Sequence, residues 1–594
     1  MRQYQGKLLC VDLSTSRIWD EPINPEEAFN TIGGSGLAAH YLLDRIDAST
    51  DPLGPDNSLM FMTGPLVGTA MPSSGRYSVC ALSPLTGIWG EANSGGFFGP
   101  ELRFAGYEGI LITGRSEHPV WLSILNGKAE LHEATELWGL DTYETQDRLR
   151  EALGDPLVRA ACIGPAGENR VKIAAVMNDH GRAAARTGMG AVMGAKNLKA
   201  IAVRGSSKVP LADPKAFQAA IRQILRQQKE DVAGQALRLA GTAGYLDMGL
   251  MYGDLPIRYF QQGDWDQAEN LSGVLMATGY QNKNTGCYRC TIACGRETRA
   301  PIYETTKVDG PEYETVASFG SLNMISNLED VIQASHLCNQ LGLDTISAGS
   351  TIALAVELFE RGVITRADTD GAELRYGDAA LVLDLVQKMA RREGFGDLLA
   401  EGSTALAEHF GVPGLDVTVN HLEVPMHDPR AFSGMAVTYA LSPRGACHMQ
   451  GDMYGLDTGQ GGVMELGILP GERQENSQEK GQTAARLMAW RSVYNALILC
   501  QFQNPGAEPL LNVINSVTSW DLDAEGLLEA GKRILTLKRR LNAKRGLTKA
   551  NDRLPELLLK SLGEGGTEGF VPDLSVMLPA AYKELGWNEV TGMP

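Results

Sequence analysis

No apolar run in the 594-residue chain approaches the roughly 20 residues that a membrane-spanning helix needs, so no membrane span is expected. Basic residues are the minority, 53 against 71 acidic, for a net charge of −18. That balance argues against a surface built for nucleic-acid phosphates or an anionic membrane. The opening segment, Met1 to Lys7, has no apolar stretch after its basic residues and no small-residue cleavage site, so no secretory signal is read and a cytoplasmic location is expected. Cysteine is sparse: nine residues, an odd number, spread over a long chain do not read as a secreted disulfide framework. Internal repeats and low-complexity tracts are also missing.

Glycine is in excess. It makes up 68 of 594 residues, about 11% against a usual value of about 7%, so many turns pass close to something. The length allows roughly three or four domains. Up to about residue 205, short β-like runs alternate with Gly-rich turns: Lys7 to Leu13, Ser58 to Thr63, Tyr77 to Ser83, Gly109 to Gly114, Trp121 to Leu125, Val158 to Gly164, Val171 to Met177 and Ala200 to Val203. Asn126-Gly127 signals a hairpin, and Asp141 the start of a helix. A linker is read near 205 to 214, after which helical periodicity dominates, for example in Phe217 to Gln228, Glu329 to Leu341, Ser347 to Arg361, Thr483 to Leu499 and Gly526 to Leu541. A second break falls near Gly411 to Val419. The expected fold class is α+β: a β-rich N-terminal domain over 1–208, then two mainly helical domains over 209–415 and 416–594.

The most specific local signal is Cys287-Tyr288-Arg289-Cys290-Thr291-Ile292-Ala293-Cys294, three thiols within eight residues. A [4Fe-4S] cluster takes four thiolates and commonly borrows the fourth from far away in sequence, whereas a zinc site would show a second Cys or His pair nearby. Spacing alone leaves Cys338, Cys447 and Cys500 open as the fourth ligand.

With that triple, several segments in order carry a resemblance. They include Gly33-Gly34-Ser35-Gly36, Ser74-Gly75-Arg76-Tyr77, Glu91-Ala92-Asn93-Ser94-Gly95-Gly96, Gly181-Arg182-Ala183-Ala184-Ala185-Arg186, Gly310-Pro311-Glu312-Tyr313-Glu314-Thr315, Leu341-Gly342-Leu343-Asp344 and Arg444-Gly445-Ala446-Cys447-His448. The chain resembles the tungsten-containing aldehyde:ferredoxin oxidoreductase family from its first strand to its last helices. The resemblance implies tungsten (or molybdenum) held by two molybdopterins, one [4Fe-4S] cluster with Cys500 as its fourth ligand, and Mg2+ bridging the pterin phosphates through backbone carbonyls of Asn93 and Ala183. By the same resemblance Arg76, Asn93, Ser94, Gly95, Arg182, Ala183, Ala185, Arg186, Asn339, Leu343, Asp344 and Gln501 contact the pterins. It also makes Glu312 the general base and His448 the partner of an aldehyde carbonyl, with Glu314 and Tyr313 as secondary candidates. The implied reaction is aldehyde plus water to carboxylic acid. Electrons would leave to ferredoxin or a ferredoxin-like subunit, with a flavin or NAD subunit in a mesophilic complex, and a homo- or hetero-oligomer is expected.

Several features depart from the pattern or compete with it. The family's paired motifs begin with Asp, but here Asn339 and Asn495 stand in those places, and Ile498 replaces a glycine. Such changes point also to a subgroup with another substrate, such as an acyl-CoA aromatic-ring reductase, or to a redox scaffold without catalysis. Gln333-x-x-His336 weakens the family's bridging-iron pair, so no such iron is expected. Gly34-x-Gly36-x-x-Ala39 mimics a dinucleotide fingerprint, but no hydrophobic strand leads into it, and a turn beneath the pterin is the better reading. His421 and His427 are read as structural or channel-lining residues rather than a metal pair, and the basic run Lys532 to Arg545 as a solvated helix face that could instead dock an acidic redox partner.

Overall fold

The computed structural model describes residues 6–300 and 308–594; Met1 to Gln5, part of the segment read for targeting, lie outside the described residues. Two six-stranded sheets form the N-terminal third. Their strands are β1 (Lys7–Asp12), β2 (Arg17–Pro22), β3 (Leu59–Met62), β4 (Tyr77–Leu82), β5 (Trp89–Ser94), β6 (Gly109–Thr113), β7 (Val120–Leu125), β8 (Lys128–Glu133), β9 (Arg159–Cys162), β10 (Val176–Asn178), β11 (Arg182–Ala184) and β12 (Leu198–Arg204). The first sheet runs β2-β1-β6-β3-β4-β5 and the second β11-β10-β9-β12-β7-β8. Asn126 and Gly127 make the two-residue turn between β7 and β8, both at positive φ, as that dipeptide prefers.

Strand alternation divides the first sheet's side chains between two cores. Leu9, Val11, Phe61, Val79 and Ile110 face the second sheet and pack with Leu122, Ile124, Ile201 and Val203. Leu8, Cys10, Met60, Met62 and Leu111 face the other way, into one large core shared with the helices. That second core joins the β-rich part and the helical part through one continuous set of buried side chains.

Two helices from the end of the chain seal the arrangement. Gln478–Leu497 is buried along nearly its whole length, and its C-cap, Ile498, sits at φ 57°. Gly34 rests on that helix end: a Cβ there would lie 2.4 Å from Ala496 O, at a backbone φ of +43°. The Gly34-x-Gly36 segment is thus a close-packing device, preceded by the helix Pro25–Thr31 and not by a strand. The helix Ala524–Lys544 contains most of the basic run, and here the structure corrects the solvated-face reading. Lys538 is fully buried, with Nζ 2.6 Å from Glu91 Oε2, and Arg539 is paired in the core with Asp552 at 2.7 Å. Lys538 and Arg539 thus meet buried carboxylates instead of water, while Arg533, Arg540 and Lys544 remain exposed on the helix's outer face.

Candidate functional site

The cysteine triple occupies the connection between the strands Gln281–Thr285 and Gly295–Thr298. Cys500 follows the end of the helix Gln478–Leu497. Ser73 ties the two together, since Ser73 N donates to Arg289 O (3.1 Å) and Cys500 N donates to Ser73 O (3.3 Å). Burial, then Glu312 and the neighbouring thiols Cys500 and Cys287, pushes the Cys294 thiol up. Burial does the same to Cys500, opposed by Arg76 and reinforced by Cys290 and Cys287. All four thiols therefore lie within electrostatic reach of one another. Among the described residues, no three of their sulfurs fall within 4.8 Å of one another. Of the other two candidates, Cys338 is fully buried in the helix Leu328–Leu341, and Cys447, which lines the same cavity as Cys500, has its Sγ 2.7 Å from Arg444 Nη2.

Beside the thiols lies a cavity of about 150 Å³. Of the residues expected to hold pterins, Arg76, Asn93, Ala183, Ala185, Arg186 and Gln501 line it, together with His448 and Cys500. Ser94, Gly95, Arg182, Asn339, Leu343 and Asp344 do not. Ser94 donates to Asn178 Oδ1 (2.7 Å), and a Cβ on Gly95 would meet Cys287 Sγ at 2.7 Å. Arg182 reaches Glu312, and Asn339 O accepts from Thr142 Oγ1 (2.7 Å). Leu343 bridges to Ala174, and Asp344 caps the helix Thr345–Glu360 with Oδ2 3.3 Å from Arg186 Nε. Sequence reasoning did not select Glu91, Arg444 or Gln450 as site residues and noted Asn495 only as a departure in a pterin motif, yet all four line the cavity. Arg186 Nη1, Arg444 Nε, Asn495 Nδ2 and Gln450 Oε1 are buried without a hydrogen-bond partner. Each such orphan costs about 1–3 kcal/mol, and three of the four are donors. That is the lining an anionic, hydrogen-bonding group such as a pterin phosphate requires, so the residues present fit the group.

The acid–base residues form a third cluster. Glu312 is the N-cap of the helix Tyr313–Phe319; its carboxylate accepts from Thr242 and faces Arg182 at 3.7 Å, with 39% of the side chain exposed. Glu314, one step inside the helix, projects to the opposite side. Its Oε1 lies 3.3 Å from His448 Nδ1 and 3.6 Å from His427 Nε2, while Oε2 accepts from Met426 N (2.8 Å). Tyr313, between them, donates to Met426 O. The structure therefore puts Glu314, not Glu312, against His448. Burial pushes the Glu314 carboxyl up. Burial, then the cations His427, Arg186 and Arg444, drives His448 well below the ordinary histidine range, so its ring is neutral. His421 is exposed and apart from this group, whereas His427 belongs to it, which no sequence spacing could have indicated.

Comparisons with known proteins find relatives over nearly the whole chain. The family model "Aldehyde ferredoxin oxidoreductase, N-terminal domain" matches residues 8–205, and "Aldehyde ferredoxin oxidoreductase, domains 2 & 3" matches 218–594. The tungsten-containing aldehyde ferredoxin oxidoreductase of Pyrococcus furiosus is 41% identical over 99% of this chain and 97% of its own. That of Thermococcus kodakarensis is 39% identical over 99% and 97%. The aliphatic sulfonate oxidoreductase, WOR-like subunit, of Pyrococcus furiosus is 31% identical over 99% and 95%. Among solved structures, the active site complex BamBC of benzoyl coenzyme A reductase with 1,5 dienoyl-CoA shares the fold, with a TM-score of 0.85 at 24% identity over 99% of this chain and 95% of that one.

Proposed function

The chain belongs to the aldehyde ferredoxin oxidoreductase family, a family of oxidoreductase enzymes, and from that premise we propose that it oxidises aldehydes to carboxylic acids with water at tungsten (or molybdenum) carried by two molybdopterins. A [4Fe-4S] cluster, where bound, would supply a one-electron exit to ferredoxin or a ferredoxin-like subunit. The observation that carries the reading is the meeting of four thiols, a cavity with orphaned cationic donors, and the Glu314–His448 pair.

Cys287, Cys290, Cys294 and Cys500 would hold the cluster, and Arg76, Arg186 and Arg444 the pterin phosphates. The carbonyls of Asn93 and Ala183 are the proposed Mg2+ ligands. When bound, the metal centre would supply the sink for the two electrons released as the aldehyde C–H bond breaks, the C–H proton leaving to solvent. The protein's own part is proton handling. Glu314, as carboxylate, removes a proton from the water that adds to the carbonyl carbon. His448, held neutral, donates its N–H to the carbonyl oxygen as negative charge develops there. Glu312 instead supports Arg182 beside Cys294.

The test is metal analysis of anaerobically purified protein from tungstate- and molybdate-supplemented cultures, alongside aldehyde-dependent reduction of a viologen dye. About four Fe and one W or Mo per chain, with turnover, is the expected result. Iron without either metal would leave only the scaffold reading.

A further inference from the structure

A second buried pair flanks Glu314. His427 Nδ1 lies 2.5 Å from Asp254 Oδ2, with the side chains 3% and 0% exposed, and Tyr245 donates to the same carboxylate oxygen at 3.0 Å. With Nδ1 committed to Asp254, Nε2 faces Glu314 Oε1 at 3.6 Å. The ring is locked by a stack with Tyr454, centroids 3.8 Å apart and planes within 12°, and Tyr439 donates to the His427 carbonyl at 2.8 Å. Packing alone gives no reason for this pair, because burying an imidazole and a carboxylate costs desolvation that apolar side chains of similar volume would avoid. Its one unspent polar atom on the imidazole, Nε2, is aimed at the carboxylate that faces His448.

We propose that Asp254 and His427 form a positioning pair: Asp254 fixes the imidazole's orientation, and His427 presents Nε2–H to Glu314, holding that carboxylate ionised and turned toward His448. The inference rests on reading Glu314 as the base. A carboxyl buried among aromatic rings would otherwise stay neutral well above its ordinary range. Burial raises Glu314 and His427 opposes that rise. The groups facing His427 are Asp254, Glu314, His448, Tyr245, Tyr313 and Tyr454, with Asp452 beyond them. Burial alone would lower His427, but Asp254, Glu314 and Asp452 outweigh it, so the ring keeps its second proton above its ordinary range.

Difference infrared titration of the purified full-length chain tests this directly, with the Glu314 carboxyl band assigned by its loss in Glu314→Gln. In His427→Gln the midpoint of that band is expected to move up by about one pH unit or more. The acid limb of kcat/KM for an aldehyde should move with it while the alkaline plateau is largely kept, a split that a purely structural role would not produce. Asp254→Asn should shift both in the same direction and carries the test where His427→Gln fails to unfold cooperatively. An unmoved midpoint in the folded variants overturns the inference. A moved midpoint in a protein that turns over no aldehyde supports the pair and overturns the proposed reaction instead.

Discussion

Glu314 Oε1 and His448 Nδ1 lie 3.3 Å apart, and neither atom has a hydrogen-bond partner. Two buried polar atoms left facing each other are poised for a third group, and a hydrated carbonyl carbon supplies both a proton to take and an oxygen to hold. Replacing Glu314 with Gln is accordingly expected to lower kcat/KM by about 10²- to 10⁴-fold. Glu312→Gln should cost far less, and equal losses in a viologen assay would return the base to Glu312.

The pH profile follows from the same pair. Glu314 is raised by burial, so activity should climb with pH through a midpoint above the ordinary carboxylate range. His448 is lowered by burial and nearby cations, so it is already neutral there and adds no second break near the usual histidine value. Stability carries the opposite sign. A carboxyl raised in the folded state contributes stability that is full below its unfolded value and lost as pH rises through the folded one. Glu314→Gln should therefore gain thermal stability over the parent toward alkaline pH, measured by calorimetry at two pH values.

Iron content separates the cysteines. Cys500→Ser should lose most of the iron and the absorbance of the cluster, because its thiol joins those of Cys287, Cys290 and Cys294. Cys338→Ser and Cys447→Ser, altered away from that group, should keep the iron of the parent protein.

Ile498 offers a contest of magnitudes. Its φ of 57° is strained for a β-branched side chain, by about 1–3 kcal/mol. The side chain is fully buried, and removing it costs about 2–5 kcal/mol. Ile498→Gly should therefore lower stability by about 2 kcal/mol, seen as a lower denaturation midpoint, despite the relaxed backbone.

Most of the scaffold was legible because strand and helix periods survive in the sequence. The hairpin at Asn126-Gly127 and the helices from Phe217 onward are read from local pattern alone. β5 was not, since Gly90, Glu91 and Asn93 are poor strand formers held there by pairing with β4 and by the Lys538 ion pair. The thiol triple was visible in sequence; Cys500 was named only through the family resemblance, and only the folded chain brings its thiol near those of Cys290 and Cys287. Glu312 and Glu314 differ by two positions on one short segment, and only the turn of the helix decides which carboxylate meets His448. His427 and Asp254 are 173 residues apart and share no motif.

The tie through Ser73 has a consequence for biogenesis. Three thiols leave the ribosome together, but the fourth is translated only after the long intervening helical region, and its backbone is anchored to a turn made near the start of the chain. A nascent polypeptide offers an iron donor an incomplete socket. If the four thiols hold a cluster as proposed, its socket is complete only once the segment around Cys500 has folded back onto the turn at Ser73.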